Sequence, residues 1–127
     1  MDTIANLLTT LLNAQKVGKE RAAVPASAAT ERVLSVLKAR GRIADMRLQE
    51  GVQGKFIVTL KYEDKQPAIR GVRRISKPGG HFHVSKDKLP YPSRGEGFYV
   101  ISTSRGVMDE KQARKAGLGG ELMCEIW

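Results

Sequence analysis

The chain has 127 residues, and its 22 lysine and arginine residues outnumber its 13 aspartate and glutamate residues, so its formal net charge is +9. Its composition of 41% hydrophobic and 28% charged residues is typical of a folded globular chain, and the apolar run of about 20 residues that a transmembrane helix needs is missing. With a single cysteine and no recognisable signal peptide, the sequence argues against an integral membrane protein and a disulfide framework, and it predicts a soluble, cytoplasmic protein that attracts polyanions.

The first half of the chain is predicted to form helix, strand, helix and hairpin, in that order. Isoleucine and leucines at helical spacing give one apolar face to a helix over residues 2–17. A short extended segment separates this helix from a second one, which begins at Ser27. Alternating apolar residues then predict strands near residues 43–48 and 55–62, joined by a turn at residues 51–54.

The second half is predicted to be mainly antiparallel β structure with one short helix. Asp109 and Gln112 have the spacing of a capping box, which predicts a helix that Gly117 ends. Alternating apolar residues predict a final strand over residues 121–126. Three further extended segments are predicted at residues 68–76, 81–85 and 98–102.

The polar stretch 63–67 separates the two halves, and we place a lobe boundary there. This division gives an N-terminal α/β lobe of residues 1–65 and a C-terminal lobe of residues 66–127. The fold class is therefore predicted as α+β, with a helix–strand–helix–hairpin lobe followed by a mainly antiparallel β lobe that carries one short helix.

The positive charge is distributed over both lobes. Residues 1–66 contain 11 basic and 7 acidic side chains, and residues 67–127 contain 11 basic and 6 acidic ones. Basic side chains on a folded surface can hold the phosphates of a nucleic acid, with an affinity that falls as salt is added. The alternative is a solvated charged face that binds nothing. The densest cluster consists of Arg70, Arg73, Arg74, Lys77, Lys86 and Lys88.

Three consecutive hydroxyl residues, 102–104, leave a predicted strand and are followed by Arg105 and Gly106. Hydroxyl groups are short, so they reach base edges, 2′-hydroxyls or phosphate oxygens only where the backbone comes close to the nucleic acid. The glycine pair 119–120 allows a second close approach, and Glu121 can accept hydrogen bonds from base amino groups. The alternative for these segments is an ordinary turn and the entry of a strand.

Few residues suggest an enzyme. His81 and His83 can bind a metal from one strand face, but no acidic or sulfur ligand lies near them in sequence. Cys124 lies among apolar positions, where cysteine usually acts as a small hydrophobe. Ser104 does not lie in a nucleophile elbow, so we predict no catalytic residue, no metal, no cofactor and no small-molecule substrate. The alternatives are a small RNA-processing or hydrolytic enzyme that uses His81, His83 or Ser104, and a basic adaptor for membranes or acidic proteins.

Three motifs of the C-terminal half resemble those of a known family. They occupy residues 74–79 (RISKPG), 101–108 (ISTSRGVM) and 113–121, ahead of the terminal Trp127. In their order and spacing they resemble small-subunit ribosomal protein eight in its bacterial form. The N-terminal half fits through shorter segments such as residues 60–62, so the resemblance covers essentially the whole chain.

The resemblance implies a two-lobed α+β protein that binds the central domain of small-subunit ribosomal RNA early in assembly, beside neighbouring small-subunit proteins. It also implies that the C-terminal lobe makes most of the specific contacts, and some bacterial members of the family bind their own messenger RNA as well. Arg105 stands where lysine is common, and a guanidinium group can contact two phosphate oxygens at once. The predicted RNA-binding residues are Ser102, Thr103, Ser104, Arg105, Gly106, Gly119, Gly120, Glu121, Arg73, Arg74 and Lys77.

The N-terminal lobe departs from the family pattern at three positions. Thr10 and Leu12 stand where the family usually has arginine, and Ala28 stands where it usually has lysine. Three cations are therefore missing from this lobe. We expect its RNA contacts to be weaker and the C-terminal lobe to carry more of the binding.

Overall fold

The computed structural model describes residues 3–51 and 54–127, and the chain forms two compact units, Thr3–Arg70 and Gly71–Trp127. The combination of three α-helices with antiparallel sheets confirms the predicted α+β class. The polar stretch 63–67 lies inside the first unit, where it joins two very short strands. Asp64 and Lys65 form the turn between them with φ angles of 52° and 65°, values in the left-handed region.

The first unit contains two helices and a three-stranded antiparallel sheet in which β3 is the central strand. Phe56, Val58 and Leu60 are the buried positions of β3, and they alternate with exposed or half-buried neighbours, so one face of this sheet supplies the core. The predicted order of helix, strand, helix and hairpin is therefore confirmed, although Asp2, Val52 and Gln53 lie outside the described residues. The elements are α1 (Thr3–Lys16), β1 (Arg21–Pro25), α2 (Ala28–Ala39), β2 (Ile43–Gln49), β3 (Lys55–Leu60), β4 (Tyr62–Glu63) and β5 (Gln66–Pro67).

The second unit is an antiparallel sheet of five strands with one short helix. Strand β10 is the organising strand, because it pairs with β8 along one edge and with both β6 and β7 along the other. A capping box joins Asp109 to Gln112 at the start of α3, and Gly117 ends the helix in the left-handed conformation, as predicted. The elements are β6 (Val72–Arg74), β7 (His83–Val84), β8 (Phe98–Thr103), β9 (Gly106–Asp109), α3 (Glu110–Ala116) and β10 (Gly120–Ile126).

Two extended segments are shorter than the sequence predicts. Within the fully described stretches 68–76 and 81–85, the strands are limited to β6 and β7, of three and two residues. The reason is that both pair with the same seven-residue strand, β6 near its end and β7 near its beginning. The chain between them leaves the sheet through a turn closed by hydrogen bonds between Lys77 and Gly80.

Candidate nucleic-acid interface

The hydroxyl segment forms the tip of the hairpin between β8 and β9. Thr103 pairs with Gly106, which has a φ of 110°, so Ser104 and Arg105 make a two-residue turn. The Thr103 hydroxyl donates a hydrogen bond to the carbonyl oxygen of Gly106 at 2.8 Å and accepts one from the backbone N–H of Arg105 at 3.1 Å. Thr103 therefore stabilises the turn from within, while the side chains of Ser104 and Arg105 are exposed to solvent.

Four residues form a row across the sheet next to this turn: Val107, Ser102, Glu121 and His83. Three of the four are polar, and we call the whole set the polar row. The pairings between neighbouring strands place Ser102 opposite both Val107 and Glu121, and Glu121 opposite His83. Residues that are direct cross-strand partners lie on the same face of a sheet.

The polar row lies on the sheet face that turns away from α3. The residue next to each member of the row packs into the hydrophobic cluster that surrounds Ala113 of α3. Because side chains alternate along a strand, the members of the polar row point to the opposite face. The neighbours that pack towards the helix are Met108, Ile101, Leu122 and Val84.

Glu121 is held in place by the residues around it. Its Oε2 atom lies 2.7 Å from Nδ1 of His81, and the Glu121 side chain keeps 26% of its surface exposed. The hydrogen bond with His81 lowers the pKa of the Glu121 carboxyl, and the Ser76 hydroxyl acts in the same direction against the effect of burial. Glu121 is therefore a fixed carboxylate at neutral pH.

The glycine pair is required by the fold itself. A Cβ atom on Gly119 would overlap the carbonyl oxygen of Val84, and one on Gly120 would overlap the carbonyl oxygen of Ser102. Both glycines therefore let β10 approach the chain's own backbone at the point where Glu121 begins to pair with its neighbours. This close approach within the protein sets the position of Glu121.

The predicted cations have different surroundings. Arg73 donates two hydrogen bonds to Oε1 of Glu125, at 3.0 and 3.3 Å, yet 57% of the surface of its side chain is exposed. Arg74 lies on β6 opposite Cys124 and is half-buried. Lys77 and Arg105 are exposed, each in a tight turn. The two turn residues are thus accessible to phosphate, as is Arg73, which also neutralises a buried carboxylate.

The residues that were considered as catalytic candidates include His81, Cys124 and Ser104, and their surroundings do not favour catalysis. His81 pairs with Glu121, and within residues 3–51 and 54–127 no group of three histidine, cysteine, aspartate or glutamate side chains is placed to hold a metal ion. Cys124 is buried, and burial raises the pKa of its thiol to about 12, so the sulfur stays protonated and unreactive. Ser104 is the exposed tip of a hairpin.

Two residues near the polar row were not among the predicted site residues. His81 was considered as a metal ligand and as a catalytic residue of the alternative enzyme, and Ser76 was seen only as part of the RISKPG motif. The Ser76 hydroxyl accepts a hydrogen bond from the backbone N–H of Phe82 at 2.9 Å, which ties the turn before β7 to the sheet. If the pairing of β7 with β10 had been predicted, it would have placed both residues near Glu121. Two-residue strands, however, are too short to be predicted from alternation.

These features define a class: a small, basic α+β protein of two units, with a polar sheet face beside a rigid hydroxyl turn. A family model for ribosomal protein S8 matches residues 2–127. The chain is 45% identical to the small ribosomal subunit protein uS8 of Sorangium cellulosum, over 99% of this chain and 98% of that protein. It is 43% identical to the proteins of the same name from Anaeromyxobacter dehalogenans strain 2CP-C and Kosmotoga olearia, with coverage of 99% of this chain and at least 97% of theirs.

The chain therefore belongs to the ribosomal protein S8 family. This family is one of structural ribosomal proteins and not of enzymes, so the alternative of a hydrolytic enzyme is wrong. Among the described residues, no helix is both long and apolar enough to cross a membrane.

Proposed function

We propose that this chain binds the central domain of small-subunit ribosomal RNA directly and early in assembly, and that it stabilises the fold of that RNA. Its partners are this RNA and neighbouring proteins of the small subunit, and it works in the cytoplasm without a cofactor, a membrane or a small-molecule substrate. The observation that carries the proposal is the placement of the exposed hairpin tip, Ser104 and Arg105, next to the fixed carboxylate of Glu121.

The polar row and the hairpin tip provide complementary kinds of contact. Arg105 and Lys77 are exposed cations that hold phosphates, whatever the base sequence. Ser102 and Ser104 offer short hydroxyls to base edges and 2′-hydroxyls, which distinguish RNA from DNA. Glu121 accepts hydrogen bonds from base amino groups and repels phosphate, so it selects an RNA feature in which a base faces the sheet. A segment of the chain's own messenger that folds in the same way would bind here too.

The first unit contributes general attraction. Residues 3–70 contain 12 basic and 6 acidic side chains, so this unit is strongly positive even without the three cations that the family pattern predicts. At those positions, the Thr10 hydroxyl donates a hydrogen bond to the carbonyl oxygen of Asn6, Leu12 is half-buried and Ala28 is the first residue of α2. We expect this unit to steer RNA to the protein, and the second unit to choose the RNA.

The salt dependence of binding separates these roles. In filter binding to a bacterial central-domain transcript, R105A should weaken binding and reduce the slope of log Kd against log salt by about 1, because one phosphate contact is lost. S104A should keep the salt slope but reduce the preference for this transcript over a scrambled RNA of equal length by roughly threefold to tenfold. The matched control is K111A, which removes an exposed cation from α3.

The control should change neither the salt slope nor the preference, because α3 packs on the other face of the sheet. Wild-type protein that binds the transcript and the scrambled RNA equally well would refute the proposed function. Unchanged binding by both R105A and S104A would show that another surface binds the RNA.

A further inference from the structure

His81 reaches the polar row from outside it. It precedes β7, its side chain is 59% exposed, and its Nδ1 atom lies 2.7 Å from Oε2 of Glu121. Two further groups face the same carboxylate, the imidazole of His83 across the strand pair and the hydroxyl of Ser76. Among these neighbours of Glu121, His81 makes the short contact with the carboxylate.

We propose that His81 is a positioning residue for RNA recognition, which fixes the Glu121 carboxylate beside Ser102. This inference rests on the proposed function, since it assigns the residue through which Glu121 acts. His81 does not itself need to contact RNA in this arrangement.

The physical reason is the conflict between a carboxylate and a polyanion. An unpaired glutamate at an RNA surface is repelled by phosphates, and its flexible side chain has no fixed direction from which to accept a hydrogen bond. A protonated imidazole removes the net charge of the pair and holds one carboxylate oxygen through a charge-assisted hydrogen bond, which is about twice as strong as a neutral one. The pair then presents an oriented acceptor without a net negative charge.

Preference is measured as the ratio of Kd for a scrambled RNA to Kd for the central-domain transcript, at constant salt. H81Q should lower this ratio roughly threefold to tenfold relative to the wild-type chain, because the Glu121 carboxylate then loses the bond that fixes it. K111Q is the matched control, because it changes an exposed side chain on α3, on the other face of the sheet, and leaves the bond between His81 and Glu121 in place; its ratio should equal that of the wild-type chain.

A double-mutant cycle tests whether His81 acts through Glu121. If it does, H81Q combined with E121Q should reduce the preference no further than E121Q alone. Additive losses would mean that His81 contacts RNA itself, and a wild-type preference in H81Q would also overturn the inference. If the wild-type chain shows no preference, the proposed function fails instead.

Discussion

At the scale of single residues, the space available to a Cβ atom explains why glycine stands at positions 119 and 120. The atoms that a side chain would meet at Gly120 belong to the backbone and to the Cγ2 atom of Ile101, which is buried, so neither can move aside cheaply. Gly79 has the opposite surroundings, since nothing lies within 4 Å of the position of its Cβ atom. Gly120 and Gly79 therefore form a matched pair for a test.

We expect G120A to lower the free energy of unfolding of the second unit by about 2–4 kcal/mol, because β10 must move away from β8 to make room. G79A should change it by less than about 0.5 kcal/mol. The measurement is urea unfolding followed by the fluorescence of Trp127, the single tryptophan, which lies at the end of β10. Equal stability of the two variants would show that the sheet adapts to a methyl group at this position.

At the scale of elements, one buried side chain supplies the backbone hydrogen bonds of a chain segment that has no strand partner. Gln15 of α1 is 5% exposed, and both ends of its amide are used. Its Nε2 atom donates to the carbonyl oxygen of Ile69 at 3.1 Å, and its Oε1 atom accepts from the N–H of Ile69 at 3.2 Å. The side chain thus gives the backbone of Ile69 the two hydrogen bonds that a neighbouring strand would provide.

Q15L should therefore destabilise the first unit by about 2–4 kcal/mol, since an apolar side chain leaves two buried backbone groups without partners. The hydrogen exchange of the Ile69 amide should become faster than that of the amides in β3. The control is N13A, an exposed change on the same helix, which should leave the exchange at Ile69 unchanged. Slow exchange at Ile69 in Q15L would show that water or another group replaces the glutamine.

The elements also show what a sequence can predict. Helices α1 and α2 and strand β3 follow from apolar spacing, and the capping box of α3 follows from two residues three positions apart, because all of these signals are local. Gln15 and Ile69 are 54 residues apart, and His81 and Glu121 are 40 apart, so no local pattern reports their contacts. Such pairs depend on the register of short strands, which alternation does not determine.

At the scale of the whole molecule, the charge of +9 accounts for attraction to RNA but not for a preference for one RNA over another. Residues 71–127 contain 10 basic and 6 acidic side chains, and two of these acids, Glu121 and Glu125, lie within the sheet. Alternation places Glu125 on the polar side of β10, yet the register shifts between Leu122 and Cys124 and the Glu125 side chain is only 1% exposed. Of these two acids, Glu125 is thus part of the folded core, and Glu121 is part of the proposed recognition surface.

Glu125 links the stability of the second unit to pH. Burial acts to raise the pKa of the Glu125 carboxyl, but hydrogen bonds from Ser93 and Arg73 outweigh it and hold the pKa below its ordinary value. The backbone N–H and the hydroxyl of Ser93 both donate to Oε2, at 3.1 and 2.9 Å, while Arg73 donates to Oε1. A carboxyl whose pKa is lower in the folded state stabilises the fold above its unfolded pKa of about 4.3, and this stabilisation is lost as pH falls through the folded pKa.

E125Q should consequently lower the free energy of unfolding of the second unit by about 2 kcal/mol at neutral pH, because an amide replaces a charged acceptor of several hydrogen bonds. The difference from wild type should shrink as pH falls below about 4, where the wild-type carboxyl becomes protonated and loses the same interactions. Urea unfolding followed by Trp127 fluorescence at a series of pH values measures both effects, and E50Q, an exposed change in the first unit, should match wild type throughout. A difference between E125Q and wild type that stayed constant into acid would mean that the amide disturbs packing, and that the carboxylate charge does not stabilise the sheet.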